Sequence, residues 1–283
     1  KGSDLRPKRQ FGQIGAELIG SNSPEADAEV VLMAAAALTE LGVPNLSVDL
    51  GLPTLVPAIC EALDIDLSAD ELELKTALNL KDEPAIVRLG EKLGSRASEL
   101  FSGLLNSVGP ADNALKTLHK IDLPEKAKAE LKNMSAVINC LHERSPNLAI
   151  TIDPVETRGY EYHSGVTFTF FALDVRGEIG RGGRYLADNA NGNSGGSGSD
   201  ETATGVSLFI DSILRALPEP SPQDRVFVAS GSAKIALDLR AEGWLVVEQF
   251  SADLNNDNPL ESAKNAACTH VWDGSKVVPL TDT

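Results

Sequence analysis

Apolar and polar positions alternate near the start of the chain. In QIGAELI, residues 13–19, Ile14, Ala16 and Leu18 fall on one side of an extended strand, and Gln13, Gly15 and Glu17 fall on the other. A helix is predicted next. Ser23 suits the N-cap, Pro24 the first helical position, and Glu25 and Asp27 the positive end of the helix dipole, with Gly42 as a stop. LSVDLG, residues 46–51, reads as a short strand, and residues 52–63 as a helix entered through prolines. From about residue 67 to 146 the apolar spacing becomes helical and strand formers thin out, which predicts an all-helical insertion. Strands return in LAITIDP, residues 148–154, and HSGVTFTFFALDV, residues 163–175. Residues 177–205 form a polar, glycine-rich tract whose second half reads as a low-complexity loop, and GVSLFIDSILRAL, residues 205–217, has helical i, i+3, i+4 spacing. PEPSPQD, residues 218–224, is the best linker. Strand and helix patterns then alternate to the end. The expected organisation is a core over 1–217 carrying a helical insertion at about 67–146, and a small α/β domain over 224–283.

Charge narrows the partners. The formal net charge is -16, so the overall field repels nucleic acid, although LRPKR at residues 5–9 is a local basic patch. No apolar run is long enough to span a bilayer, so neither a membrane nor a nucleic acid is expected as partner, and a cytoplasmic location is expected. Cys60, Cys140 and Cys268 are far apart and lack metal-ligand spacing, which points to buried thiols rather than a metal site, and no cofactor is implied.

Three clusters carry candidate chemistry. Gln13 and Glu17 flank Gly15 on one strand face, leaving room for a small polar ligand with an amine or imidazole N–H; the same pattern fits an edge strand with a solvated face. RGYEYHSG, residues 158–165, gathers Arg158, Tyr160, Tyr162 and His163, either as a pocket or as a surface turn with tyrosines packed on it. GRGGRYLAD, residues 180–188, lets backbone approach a ligand closely, which alone is weak evidence.

Taken in order, the three clusters resemble the histidyl-tRNA synthetases. RQFGQIGAELIGSNSPEADAEV, residues 9–30, is similar to the end of motif 2 and its following helix, RGYEYHSGVTF, residues 158–168, to the second histidine-specific motif, and GRGGRYLAD to the GGRYD segment. The resemblance implies an α+β fold, a class II synthetase-like antiparallel sheet core with a helical insertion, and makes the small C-terminal domain resemble a reduced anticodon-binding domain. It implies that Gln13 and Glu17 match the histidine-binding glutamine and glutamate, and Arg158 an active-site arginine. His163 stands where the family has a histidine-contacting tyrosine, with Tyr162 beside it, and Tyr185 matches the tyrosine of GGRY. On the same resemblance the chain opens inside motif 2, so dimer-forming motif 1 and the phosphate-binding arginine of motif 2 are expected before Lys1.

The departures bear on activity. Where motif 3 of the family ends in Glu-Arg, this chain has Asp211 and Ser212, and Phe209 replaces a glycine on the ATP side. A serine cannot supply a guanidinium's charge and fork of donors. Adenylate formation needs such cations against the phosphate, so a degenerate ATP site is expected and no catalytic residue is assigned. A kept histidine pocket with a lost ATP half resembles the regulatory subunits of the short-form ATP phosphoribosyltransferase. That resemblance implies a non-catalytic subunit that activates a separate catalytic subunit, confers histidine feedback on histidine biosynthesis and self-associates as a dimer. A degenerate or active histidyl-tRNA synthetase is the alternative. VFVASGSA, residues 226–233, is the nearest approach to a phosphate-gripping turn, and its position suits a packing turn better.

Overall fold

The structure is a computed structural model, and it describes residues 12–65, 71–156, 162–187, 201–219, 223–249 and 258–280. It divides into two units, Lys1–Pro218 and Glu219–Thr283. The first unit opens with strand β1 (Gln13–Ile19), helix α1 (Pro24–Glu40), β2 (Leu46–Gly51) and α2 (Leu55–Ala62). Helices α3 (Glu71–Leu80), α4 (Glu83–Leu93) and α5 (Ser95–Leu105) follow, then a two-residue strand β3 (Gly109–Pro110), α6 (Ala111–Leu118) and α7 (Glu125–Arg144). The unit closes with β4 (Ala149–Asp153), β5 (His163–Ala172), β6 (Gly180–Ala187), β7 (Glu201–Phe209) and α8 (Ile210–Ala216).

The strands form one sheet in the order β1-β7-β6-β5-β2-β4-β3, antiparallel throughout except where β2 runs parallel to β4. Its two faces have different jobs. Val48, Leu50, Phe168, Phe170, Val206 and Leu208 are buried in a core shared with α1, α2 and the helices after them. The other face carries polar side chains and glycines in register. One row across the strands reads Glu17, Gly205, Gly183, Thr167 and Gly51, and the next reads Gly15, Ser207, Arg181, Thr169 and Asp49. Because opposed residues in an antiparallel pair share a face, the glycines clear a floor and the charged residues stand round it.

Gly182, on the core side of β6, is required by close packing. A Cβ there would press on the Gly205 carbonyl oxygen and come within 2.6 Å of the Phe168 ring. Gly182→Ala is expected to lose about 1–3 kcal/mol of unfolding free energy by overpacking, read as a lower urea midpoint.

The helical block expected at about 67–146 packs directly on the sheet. Its five helices, α3 to α7, join the same continuous apolar core as the sheet, α7 packing along α1 and α2. It is not all-helical, since β3 pairs with β4 at the sheet edge. A larger correction concerns ETATGVSLF. Expected as the end of a loop and the start of a helix, it is β7, an interior strand, and the helix begins only at Ile210. β6 likewise runs through the glycine-rich tract. At α1, Ser23 holds the N-cap position but its side chain does not cap, while Gly42 does follow the helix, at φ +88°.

The second unit contains β8 (Arg225–Val228), α9 (Ala233–Ala241), β9 (Leu245–Glu248), α10 (Pro259–Asn265), β10 (His270–Trp272) and β11 (Val277–Pro279). Alternation along β8 divides its core. Val226 and Val228 pack with Ala236 and Leu239 of α9, while Phe227 packs with Ala263 of α10. Residues 226–233 are therefore the strand and turn that enter α9. Among the described residues no helix is long and apolar enough to cross a membrane, and no cluster of side chains could hold a metal ion. Cys60 and Cys268 are buried and Cys140 only half-buried; all are free, and burial pushes the Cys60 thiol up to about 11.

Candidate functional site

The polar face of the sheet holds a cavity of about 430 Å³. Glu17, Tyr162, His163 and Tyr185 all line it, brought together from β1, the entry to β5 and β6. The register explains the meeting. His163 stands directly opposite Tyr185, and Glu17 is one row further along the sheet, two strands from Tyr185's own. A register irregularity between His163 and Thr167 turns the start of β5 so that His163 reaches this place.

The aromatic side chains hold one another. Tyr162 stacks on Tyr185 with ring centroids 5.0 Å apart and meets His163 edge-on at 5.1 Å. Burial, together with a hydrogen bond to the Glu17 carboxylate, pushes the Tyr185 phenol up to about 12, so it stays a neutral donor. Glu17 is thereby oriented while keeping acceptor capacity for a ligand. His163 Nδ1 lies 3.1 Å from the Arg184 carbonyl oxygen. A carbonyl only accepts, so Nδ1 carries the proton and Nε2 is left as an acceptor in the neutral ring. Burial holds the His163 pKa below its ordinary 6.5, the Arg181 guanidinium adds to this, and the bond to the Arg184 carbonyl opposes it.

The sign of that shift sets a test. The folded pKa lies below the unfolded value, so the contribution to stability is fully present above about pH 6.5 and is lost as pH falls through the folded pKa. His163→Tyr removes the titration. Urea unfolding of both proteins between pH 7.5 and 5, a range set around the free imidazole value of about 6.5, should show the wild type losing stability relative to the variant.

The walls are acidic. Glu156 and Glu178 join Glu17 in the lining, and Arg181 is the one basic side chain among the described lining residues. Behind them Asp49 is pushed up, chiefly by burial and further by Asp153 and Glu156, although the Thr151 hydroxyl opposes this. Such a lining suits a small ligand rich in N–H donors.

The remaining expected residues fare differently. Gln13 shares the face of Glu17 but is exposed and outside the cavity lining. Arg158, with Tyr160, lies outside the described residues. Phe209 is buried, 2% exposed, and Ser212 is 4% exposed with its Oγ accepting from Arg215 at 3.0 Å. Neither they nor Asp211 line the cavity. The sequence reading missed Glu156, Glu178, Arg181, Thr167, Thr169 and Ser207. Strand parity was the available signal, since Arg181 is four residues before Tyr185 and so on its face.

Comparison with known proteins places these observations in a wider setting. A family model described as histidyl-tRNA synthetase matches residues 1–213. An ATP phosphoribosyltransferase regulatory subunit of Paramagnetospirillum magneticum is 44% identical over 271 residues, which cover 95% of this chain and 67% of that protein. Among solved structures, an ATP phosphoribosyltransferase regulatory subunit/histidyl-tRNA synthetase from Bacillus halodurans C aligns with a TM-score of 0.71 at 23% identity, covering 92% of this chain and 67% of that one. A chain of the ATP phosphoribosyl transferase (HisG:HisZ) complex from Thermotoga maritima aligns with a TM-score of 0.55 at 19% identity, covering 70% and 65%. The last two likenesses bear on the fold, a class II synthetase-like core.

Proposed function

The chain belongs to the ATP phosphoribosyltransferase regulatory subunits of the histidyl-tRNA synthetase family, and from that premise we propose that its cavity is the histidine sensor of such a complex. It is a regulatory subunit, not a synthetase, and its partner is the catalytic ATP phosphoribosyltransferase subunit. The observation that carries the sensor reading is the meeting of Glu17, Tyr162, His163 and Tyr185 round one acidic cavity with a glycine floor. Histidine brings an ammonium group and an imidazole N–H to carboxylate and neutral imidazole acceptors. Binding then shifts the complex by differential affinity for its states.

The ATP half of a synthetase site is lost, in this reading. Ser212 replaces a cation and spends its hydroxyl on Arg215 within α8, and Phe209 is packed away. The net charge of -16 supports a subunit that does not hold tRNA. Self-association as a dimer belongs to the same proposal and is checked by sedimentation.

The deciding experiment combines calorimetry of the full chain with histidine and phosphoribosyltransferase assays of the catalytic subunit with and without this chain. Saturable histidine binding, and inhibition by histidine only when this chain is present, are expected. A catalytic subunit equally sensitive to histidine without it would refute the sensor. Histidine-dependent ATP–pyrophosphate exchange is expected to stay at background.

A further inference from the structure

We infer that Arg181 reads the carboxylate of the bound amino acid, making the site selective for a zwitterion over the corresponding amine. This rests on the sensor reading and deepens it. The cavity has two ends. Glu17, Tyr185 and His163 form one, an acceptor-rich aromatic end. Arg181 stands at the other, in the row of Gly15, Ser207 and Thr169. Glu17 and Arg181 are separated by two strands across the sheet and two residues along it. At about 4.8 Å per strand and 3.3 Å per residue, their Cα atoms are roughly 12 Å apart. Because strand side chains stand roughly perpendicular to the sheet, the two rise on either side of a gap about one amino acid long. Gly205 and Gly183 lie under that gap, and a cavity of about 430 Å³ suits a ligand of this size.

Charge points the same way. Three carboxylates and one guanidinium line the cavity among the described residues, so an anionic group on the ligand has one basic side chain to meet there. Arg181 remains able to receive it. Its described partner is Glu178, buried at 3% exposure, with Nη1 and Oε1 3.7 Å apart, an ion-pair distance too long for a hydrogen bond. The guanidinium fork is therefore available for a bidentate carboxylate, which a lysine could not match. The side chain itself is 63% exposed, and unfolding midpoints of the variants check that loss of the Glu178 ion pair leaves the fold intact.

Calorimetry with two probes tests this. Histidine carries the carboxylate; histamine has the same ring and amine without it. The wild-type chain should bind histidine at least about 10-fold more tightly than histamine, as expected for a charge-assisted pair worth ~1.5–3 kcal/mol. Arg181→Gln should erase most of that preference by weakening histidine, while cationic histamine, relieved of a like charge, should bind as tightly as before or more tightly. Arg181→Lys should recover only part of it. If Arg181→Gln binds histidine as the wild type does, or if only Arg158→Gln removes the preference, the assignment to Arg181 is wrong while the sensor stands. Equal binding of both probes by the wild type overturns the carboxylate contact itself. If the wild type binds neither, the sensor reading falls and takes this inference with it.

Discussion

Arg184→Met should lower the unfolding free energy by about 3–5 kcal/mol, the cost of stripping one partner from a buried ion pair. Arg184 is 4% exposed and Asp27 fully buried. The guanidinium Nε donates to Asp27 Oδ2 at 3.0 Å, and Nη2 lies 3.0 Å from Oδ1. The same side chain donates to the Ser21 carbonyl at 2.8 Å, the Thr202 hydroxyl at 2.8 Å and the Ser23 carbonyl at 3.1 Å. It thus ties β6 and β7 to the first turn of α1, and so positions the strands that form the cavity floor. Methionine fills the volume but leaves a carboxylate and two carbonyls without these donors. Urea titration is the measurement, and adding Asp27→Leu should return part of the loss, because the orphaned charge is then gone.

Acid should narrow the deficit. Burial raises the Asp27 pKa, and Arg184 pulls it back part of the way. Without Arg184 the folded-state value rises further above the unfolded one. The folded variant then takes up a proton before the unfolded chain does, so its deficit is full above the raised pKa and shrinks as pH falls through it. A deficit that grows on acidification would mean that Asp27 is not the group left stranded.

This tie also shows where the sequence was readable. GGRY marked a motif, but nothing local to Arg184 distinguishes a ligand-facing arginine from one that anchors α1. Its partner Asp27 was read as a dipole-matching residue in a first turn, which it is, and also as nothing more. The helices were plain because amphipathic spacing repeats over whole segments, and α3 to α7 all lie where that spacing placed them. β1 was plain because alternation is strict there. β6 and β7 were hidden. Three of the eight residues of GRGGRYLA are glycine, which has little strand preference of its own, and it is the neighbouring strands that demand it. In GVSLFIDSILRAL, Val206, Ile210, Ile213 and Leu217 happen to fit a helical period, so the switch from strand to helix after Phe209 left no break. The site suffered from the same cause. Glu17, Tyr162 and His163 stood in clusters read from local pattern, and Tyr185 came from the resemblance, whereas Arg181 and Glu178 were given no role by either and needed the folded sheet to be found.

Glu17→Gln should weaken histidine binding by roughly 10- to 150-fold, corresponding to the ~1.5–3 kcal/mol of a hydrogen bond to a charged group. The carboxylate has two acceptor oxygens, and Tyr185 occupies part of that capacity. Glutamine keeps the size but replaces one oxygen with a donor. If the amide oxygen turns to Tyr185, its NH2 faces the ligand's N–H and nothing accepts; if the oxygen turns to the ligand, the Tyr185 hydroxyl faces a donor and must reorient. The first arrangement loses the ligand's hydrogen bond; in the second the Tyr185 oxygen accepts from the NH2, and the ligand meets a neutral acceptor in place of a charged one. Tyr185→Phe should cost less, up to about 10-fold, since it removes only the group that orients Glu17 and a neutral donor contributes ~0.5–1.5 kcal/mol. The double variant should lose less than the sum of the two, because both changes act on the same ligand contact. Calorimetry of the three variants decides it, with unfolding midpoints as the control. Glu17 is exposed, so its substitution should leave the midpoint in place, and a Glu17→Gln variant that binds histidine normally would mean that the ligand's N–H is accepted elsewhere in the cavity.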